Sequence, residues 1–122
     1  LGLVVDLTAS GGTPKGLKME VELGKGPAIK VRDQLMFSNP QIIDWMVSTA
    51  KSSDIPYQLE ILEMGSTNGR AIQLSRSGVP VGGLSIPARY IHSSSEMIDF
   101  EDYQNSIHLL QALLCNPINF EK

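Results

Sequence analysis

An arginine, a histidine and a run of serines follow one another at Arg89-Tyr90-Ile91-His92-Ser93-Ser94-Ser95, just beyond an apolar stretch that ends at Ile86-Pro87. Ligand groups in an open α/β sheet sit where strands end and loops begin. An imidazole at such a place serves as a metal ligand or a general base. The plainer alternative is a loop histidine bonded to backbone, and position alone favours it. A second chemical group is Asp6, an acid in the otherwise apolar Leu3-Val4-Val5-Asp6-Leu7. It is poorly placed for packing and well placed for a site. Two further groups carry less. His108 lies off the apolar stripe of its helix and reads as solvated surface, and Cys115 lies on an apolar helix face and reads as core.

The elements that must position these residues follow from periodicity. Leu3–Leu7 is a short apolar strand of the kind buried on both faces. Thr8–Gly16 is a loop by composition and lacks the glycine and lysine spacing of a phosphate-binding loop. Leu17, Met19, Val21 and Leu23 alternate with Lys18, Glu20 and Glu22, which predicts a half-buried strand over 17–23. After the Gly24-Lys25-Gly26-Pro27 turn, Ala28–Val31 is another strand. Asn39-Pro40 predicts a helix start, with Asn39 as cap and Ile42, Ile43, Met46, Val47 and Ala50 as the buried stripe. Trp45 lies off the centre of that stripe.

The helix stops near Ser52–Asp54, and Tyr57, Leu59 and Ile61 then alternate with polar residues as a strand. Ser66, Thr67 or Asn68 caps a second helix over 70–77, whose amino end offers free N–H groups. A strand over 79–86 leads into the His92 loop. Asp99 or a near neighbour caps a last helix with Tyr103, Ile107, Leu110 and Leu114 as its stripe. The order is three strands, a helix, a strand, a helix, a strand, a helix. Alternation in the latter half predicts a largely parallel sheet covered by helices.

The 122 residues suffice for one core, and 42% apolar with 19% charged residues argues against disorder. A net charge of −3 with no basic patch argues against nucleic acid. No apolar run reaches the length of a membrane span, and one cysteine permits neither a disulfide framework nor an all-thiolate metal site. No signal-peptide pattern opens the chain, so a cytoplasmic location is expected.

Several motifs occur in order: Val4-Val5-Asp6-Leu7-Thr8, Gly24-Lys25-Gly26-Pro27-Ala28-Ile29, Ile55-Pro56-Tyr57-Gln58, Gly65-Ser66-Thr67, Ala71-Ile72-Gln73-Leu74-Ser75-Arg76-Ser77-Gly78-Val79-Pro80, and Ser85-Ile86-Pro87-Ala88-Arg89-Tyr90-Ile91-His92-Ser93. Together they resemble the C-terminal part of the glutamyl/tetrahedral aminopeptidase family, some of whose members carry an endoglucanase label. The resemblance implies a three-layer α/β domain, the C-terminal portion of a zinc-peptidase-like catalytic domain. It implies two divalent metals (zinc, cobalt or manganese), a bridging water and a glutamate base. Asp6 matches an aspartate ligand of one metal and His92 the last histidine ligand, on the other. Such a pair of metals activates water and polarises the scissile carbonyl. The resemblance also implies a peptide substrate and a homo-oligomer, dimer-based and often a dodecamer.

Departures from the family pattern shape the remaining expectations. The family's first histidine, bridging aspartate and paired glutamates precede the equivalent of Asp6, and this chain has nothing there. Residue 1 is Leu within a core-like strand. Residues 1–122 are therefore expected to be a C-terminal fragment of the catalytic domain, with no second domain in this chain. Two donors are too few for a closed zinc site. The fragment alone is expected to be inactive, to bind metal weakly, and to dimerise or aggregate through its uncovered sheet edge. An expected acid is Asn68, and another is Gly12. Arg89 and the Ser66-Thr67-Asn68 loop are candidate substrate-binding groups, with a sheet-edge salt bridge as the alternative for Arg89. The competing functions are a non-catalytic scaffold that kept the fold, slightly favoured by the two lost acids, and a glycoside hydrolase using Glu96 and Asp99 on one helix face.

Overall fold

The computed structural model describes residues 1–120 and contains five strands and three helices. They are β1 (Gly2–Ala9), β2 (Ala28–Arg32), α1 (Pro40–Ser52), β3 (Gln58–Ile61), α2 (Gly69–Gln73), β4 (Val81–Arg89), β5 (Met97–Ile98) and α3 (Phe100–Cys115). The sheet order is β1-β4-β2-β3, with β5 pairing the end of β4. β1 runs parallel to β4 and β2 parallel to β3, but β2 is antiparallel to β4. The sheet is thus mixed rather than largely parallel.

Adjacent residues of β4 show its two covered faces, since neighbours on a strand point to opposite sides. A Cβ on Gly82 would lie 2.4 Å from Ile42 Cγ2 of α1, whereas Val81 lies against Gly69 of α2. Helices α1 and α3 cover the first face, and α2 packs on β1 and β4 from the other. This is the expected three-layer α/β arrangement. The core is Ile29, Ile42, Met46, Ala50, Leu84, Leu109 and Leu113, with Leu3, Ile43, Trp45 and Val47 packed around it. Trp45 also donates its indole N–H to the Asn116 carbonyl, which ties α1 to the end of α3.

Helix starts follow local capping chemistry. Asn39 Oδ1 accepts from Gln41 N, with Pro40 at the first helical position. Asp99 Oδ1 accepts from Glu101 N and Asp102 N. These caps satisfy amide groups that the helix itself leaves free.

Six further expectations are corrected. Residues 17–23 form no strand: the segment folds back beyond the end of β1, where Val21 O accepts from Gly11 N, and pairs with no strand of the sheet. Val21 is buried but Leu17 is 76% exposed. In β3 the alternation is inverted, so that Glu60 is buried and Leu59 and Ile61 are exposed. Helix α2 is one short turn over Gly69–Gln73, not a helix to residue 77, because the chain turns at Gln73–Gly78 with Gly78 at φ +99°. Strand β4 continues through Pro87 to Arg89. On α3 the buried positions are Asp102, Ser106, Leu109 and Leu113, one residue away from the expected stripe, and Cys115 is exposed. His108 is exposed, as expected.

Candidate functional site

The extension of β1 and β4 changes where Asp6 sits. In the parallel β1–β4 register, Asp6 lies opposite Ser85, and pairing continues to Ala9 opposite Ala88. Asp6 is therefore three residues inside its strand. Its side chain is exposed, and Oδ1 accepts from Leu7 N at 2.8 Å while Oδ2 has no protein partner among the described residues. His92 lies three residues beyond Arg89, in the loop that turns β4 back into β5. It is exposed, and no hydrogen bond to its ring is made among the described residues. Both groups thus keep free lone pairs for an external partner.

The His92 loop is braced by hydrogen bonds within itself. Tyr90 and His92 both take left-handed backbone angles, φ +58° and +61°. Such angles cost a non-glycine residue about 1–2 kcal/mol, so the surrounding contacts must hold them. Those contacts are present. His92 N donates to Glu96 Oε1 at 2.8 Å, Ser93 N and Oγ donate to Tyr90 O, and Ser95 N donates to Ser93 Oγ.

Arg89 stands at the same end of the sheet, paired in register with Met97 of β5. Its Nε is buried without a hydrogen-bond partner. A Cβ on Gly12, at φ +83°, would lie 2.7 Å from its Nη2. The sheet-edge salt bridge considered for Arg89 is absent among the described residues, where the ion pairs are Lys30–Asp33 and Lys30–Glu60.

Ser66, Thr67 and Asn68 are elsewhere. Ser66 Oγ and Thr67 N donate to Asp33, just beyond the end of β2, and Gly69 packs on Met36 and Val81. That is the Val81 end of β4, and Arg89 is the other end. Eight residue steps of strand separate them, about 26 Å at 3.3 Å per residue. The structure therefore places Arg89 and His92 at one end of β4 and the Ser66–Asn68 loop at the opposite end, with Asp6 level with Ser85 at the middle of that strand. Asn68 precedes α2 without a side-chain cap bond, and Thr67 Oγ1 instead accepts from Gly69 N. A cleft of about 460 Å³ lies near Ala9, between Leu17–Glu20 and Ile61–Met64, and none of the predicted site residues lines it.

Periodicity missed several buried polar groups. Lys30 and Glu60 are both 1% exposed and form an ion pair at 2.9 Å, and Thr8, two residues after Asp6, donates its hydroxyl to the same Glu60 oxygen. Asp33 is fully buried and accepts from Leu35 N, Met36 N, Ser66 Oγ and Thr67 N. Asp102 accepts from Gly24 N and Gly26 N, which fixes the Gly-Lys-Gly turn against α3. The available signal was a charge inside an apolar strand at Lys30 and at Glu60, since buried charges must be paired.

Glu96 and Asp99 do not share a helix face. Glu96 precedes β5, Asp99 caps α3, and each carboxylate accepts backbone N–H groups. No group of three or more His, Cys, Asp or Glu side chains with metal-holding geometry occurs among the described residues. Asp6 and His92 therefore fit a divalent metal in donor type, as carboxylate and imidazole, while supplying two donors rather than a full set. No helix among the described residues is long and apolar enough to cross a membrane.

Known proteins resemble this chain in sequence and fold. A putative aminopeptidase of Acetivibrio thermocellus is 42% identical over 115 residues, covering 94% of this chain and 35% of the relative. The crystal structure of a TET aminopeptidase from the marine sediment archaeon Thaumarchaeota archaeon SCGC AB-539-E09 superposes with a TM-score of 0.88 at 30% identity, over 94% of this chain and 32% of that one. The TET1 peptidase of Pyrococcus horikoshii, described as assembling into a tetrahedron or a large octahedral shell, superposes with a TM-score of 0.74 at 25% identity, over 92% and 32%. The chain thus spans about a third of the length of these relatives. The profile of the M42 glutamyl aminopeptidases matches residues 1–109, and this chain belongs to that family.

Proposed function

We propose that residues 1–122 are the C-terminal part of the catalytic domain of a two-metal aminopeptidase that removes N-terminal residues from peptides. The observation that carries this reading is the family match over residues 1–109, together with the free donor atoms of Asp6 and His92. Each keeps uncommitted lone pairs; His92 lies just past the Arg89 end of β4, and Asp6 stands on the neighbouring strand opposite Ser85. Asp6 would hold one metal and His92 the other, with zinc, cobalt or manganese as the ions. Bound there, the metals supply Lewis-acid polarisation of the scissile carbonyl and a water acidic enough to attack near neutral pH.

This chain's own residues orient and bind. Leu7 N holds one oxygen of Asp6, leaving the other free. The left-handed Tyr90 and His92 present the imidazole from a braced loop. Arg89, without an acidic partner, offers a guanidinium to a polar group of the substrate, whereas Ser66–Asn68 stand at the far end of β4. The general base and the remaining donors belong to sequence outside these residues, so the 122-residue chain alone is inactive. The family's assemblies support a homo-oligomer, and we place the protein in the cytoplasm.

A chimera tests this. This chain replaces the matching third of the Acetivibrio thermocellus relative, and release of N-terminal residues from a peptide is measured with zinc, cobalt or manganese. Activity in the chimera, its loss with Asp6→Asn or His92→Ala, and none from the chain alone are expected. An active Asp6→Asn, His92→Ala double variant, or an active isolated chain, overturns the reading. A folded chimera that binds no metal establishes the scaffold alternative, which the Asn68 and Gly12 departures favour.

A further inference from the structure

We infer that Glu96 is a positioning residue for His92, acting through the backbone rather than on the imidazole. The inference rests on the reading of His92 as a metal donor.

Glu96 Oε1 accepts the His92 N–H at 2.8 Å, four residues back along the loop. The bond closes a compact turn around a histidine at φ +61°. Removing the acceptor frees His92 to relax into the broad φ-negative regions that an L-residue prefers. The cost of the strained angle is then no longer offset. The ring loses its fixed direction, and a donor that must be ordered on binding gives weaker affinity. Neighbouring contacts do not replace this one. Ser93 donates to Tyr90 O and Ser95 N to Ser93 Oγ, so they brace the turn but leave the His92 amide to Glu96 alone. Glu96 is exposed and outside the core, so the contact does little for global stability.

The chain carries an internal reference: its second histidine, His108, is exposed on α3. Zinc is titrated into the chimera with the Acetivibrio thermocellus relative, which supplies the remaining donors, while the ring signals of His92 and His108 are followed by NMR. His92 is expected to respond at lower zinc than His108. Glu96→Ala should weaken zinc at His92 by about tenfold, the scale of losses when a ligand's supporting partner is removed. It should leave His108 and the thermal midpoint unchanged. Glu96→Gln keeps an oxygen acceptor for the amide and should restore the parental affinity.

Parental affinity in Glu96→Ala overturns the inference. So does a Glu96→Gln variant as weak as Glu96→Ala, because the carboxylate charge, not the amide contact, would then be responsible. His92→Ala separates the two levels. If it leaves zinc binding unchanged, the metal reading fails and the inference with it; if it removes the high-affinity response while Glu96→Ala does not, the positioning role alone fails.

Discussion

Lys30 Nζ lies 2.9 Å from Glu60 Oε1 and 3.9 Å from Asp33 Oδ2, and all three side chains are buried. The ammonium thus sits between two carboxylates on the face of the sheet that carries Asp6 and Thr8. Its stem lies across Gly83, where an added Cβ would come within 3.0 Å of Lys30 Cβ. Lys30→Met leaves two buried carboxylates without a counter-charge. Glu60→Gln leaves Lys30 with Asp33 and still offers Thr8 an acceptor.

The two substitutions are therefore unequal. Breaking a buried pair by removing one partner costs about 3–5 kcal/mol, and Lys30→Met is expected in that range. Glu60→Gln should cost roughly half as much, on the scale of about 1–3 kcal/mol for a lost charge-assisted bond. Denaturant unfolding of both variants checks the order. Equal losses, or a larger loss for Glu60→Gln, would show that Asp33 does not share the charge. Combined in one chain, the substitutions should cost less than their sum, because each removes the charge that the other strands.

The Arg89 guanidinium and Gly12 yield a second contrast. At φ +83° an alanine at position 12 is strained, at about 1–2 kcal/mol, and its Cβ meets Arg89 Nη2 at 2.7 Å. Aspartate carries the same strain but tolerates the left-handed region better, and it brings a carboxylate to an arginine whose buried Nε is unpartnered. Gly12→Asp is expected to be more stable than Gly12→Ala by about 1 kcal/mol, the usual net worth of such a bond. In an Arg89→Met background the difference between the two variants should shrink to the part that aspartate's tolerance of the left-handed region supplies. Thermal unfolding of the four chains measures it, and a difference undiminished without Arg89 excludes the ion pair as its cause.

What the sequence revealed and concealed divides by range. Caps at Asn39 and Asp99 were legible because a side chain bonding an amide two or three residues on is a local event. The three-layer architecture was legible because motifs spread from Val4 to Ser93 together carry the family resemblance. Alternation over 17–23 predicted a strand that does not form, since periodicity fixes which side chains share a face and not whether a partner backbone is available. The inverted β3 was hidden because Glu60 is buried by Lys30, thirty residues earlier. Glu96 was hidden differently: its partner is a backbone N–H, and any residue at position 92 would supply one. The Ser66–Asn68 loop could not be separated from Arg89 on paper, because only the antiparallel β2–β4 pairing puts them at opposite ends of β4.

Helix α3 offers the sharpest check on the corrected packing. Periodicity assigned Leu114 to the buried stripe, yet the structure buries Leu113 completely and leaves Leu114 70% exposed. The shift follows from Asp102 and Ser106, which point inward although polar. Asp102 is held by the Gly24 and Gly26 amides, and the Ser106 hydroxyl donates to Asp102 O. These bonds satisfy polar groups that would otherwise oppose burial, and they rotate the helix by one residue so that Leu109 and Leu113 reach Ile42 and Met46 in the core. Two adjacent leucines therefore have opposite fates. Leu113→Ala should cost about 2–5 kcal/mol through lost burial and the cavity left behind, whereas Leu114→Ala should stay within about 0.5 kcal/mol. Urea unfolding of the two single variants decides between the faces. A larger loss at Leu114 would restore the stripe that periodicity predicted and would require Asp102 to face outward, which release of the Gly24 and Gly26 amides to fast hydrogen exchange would reveal.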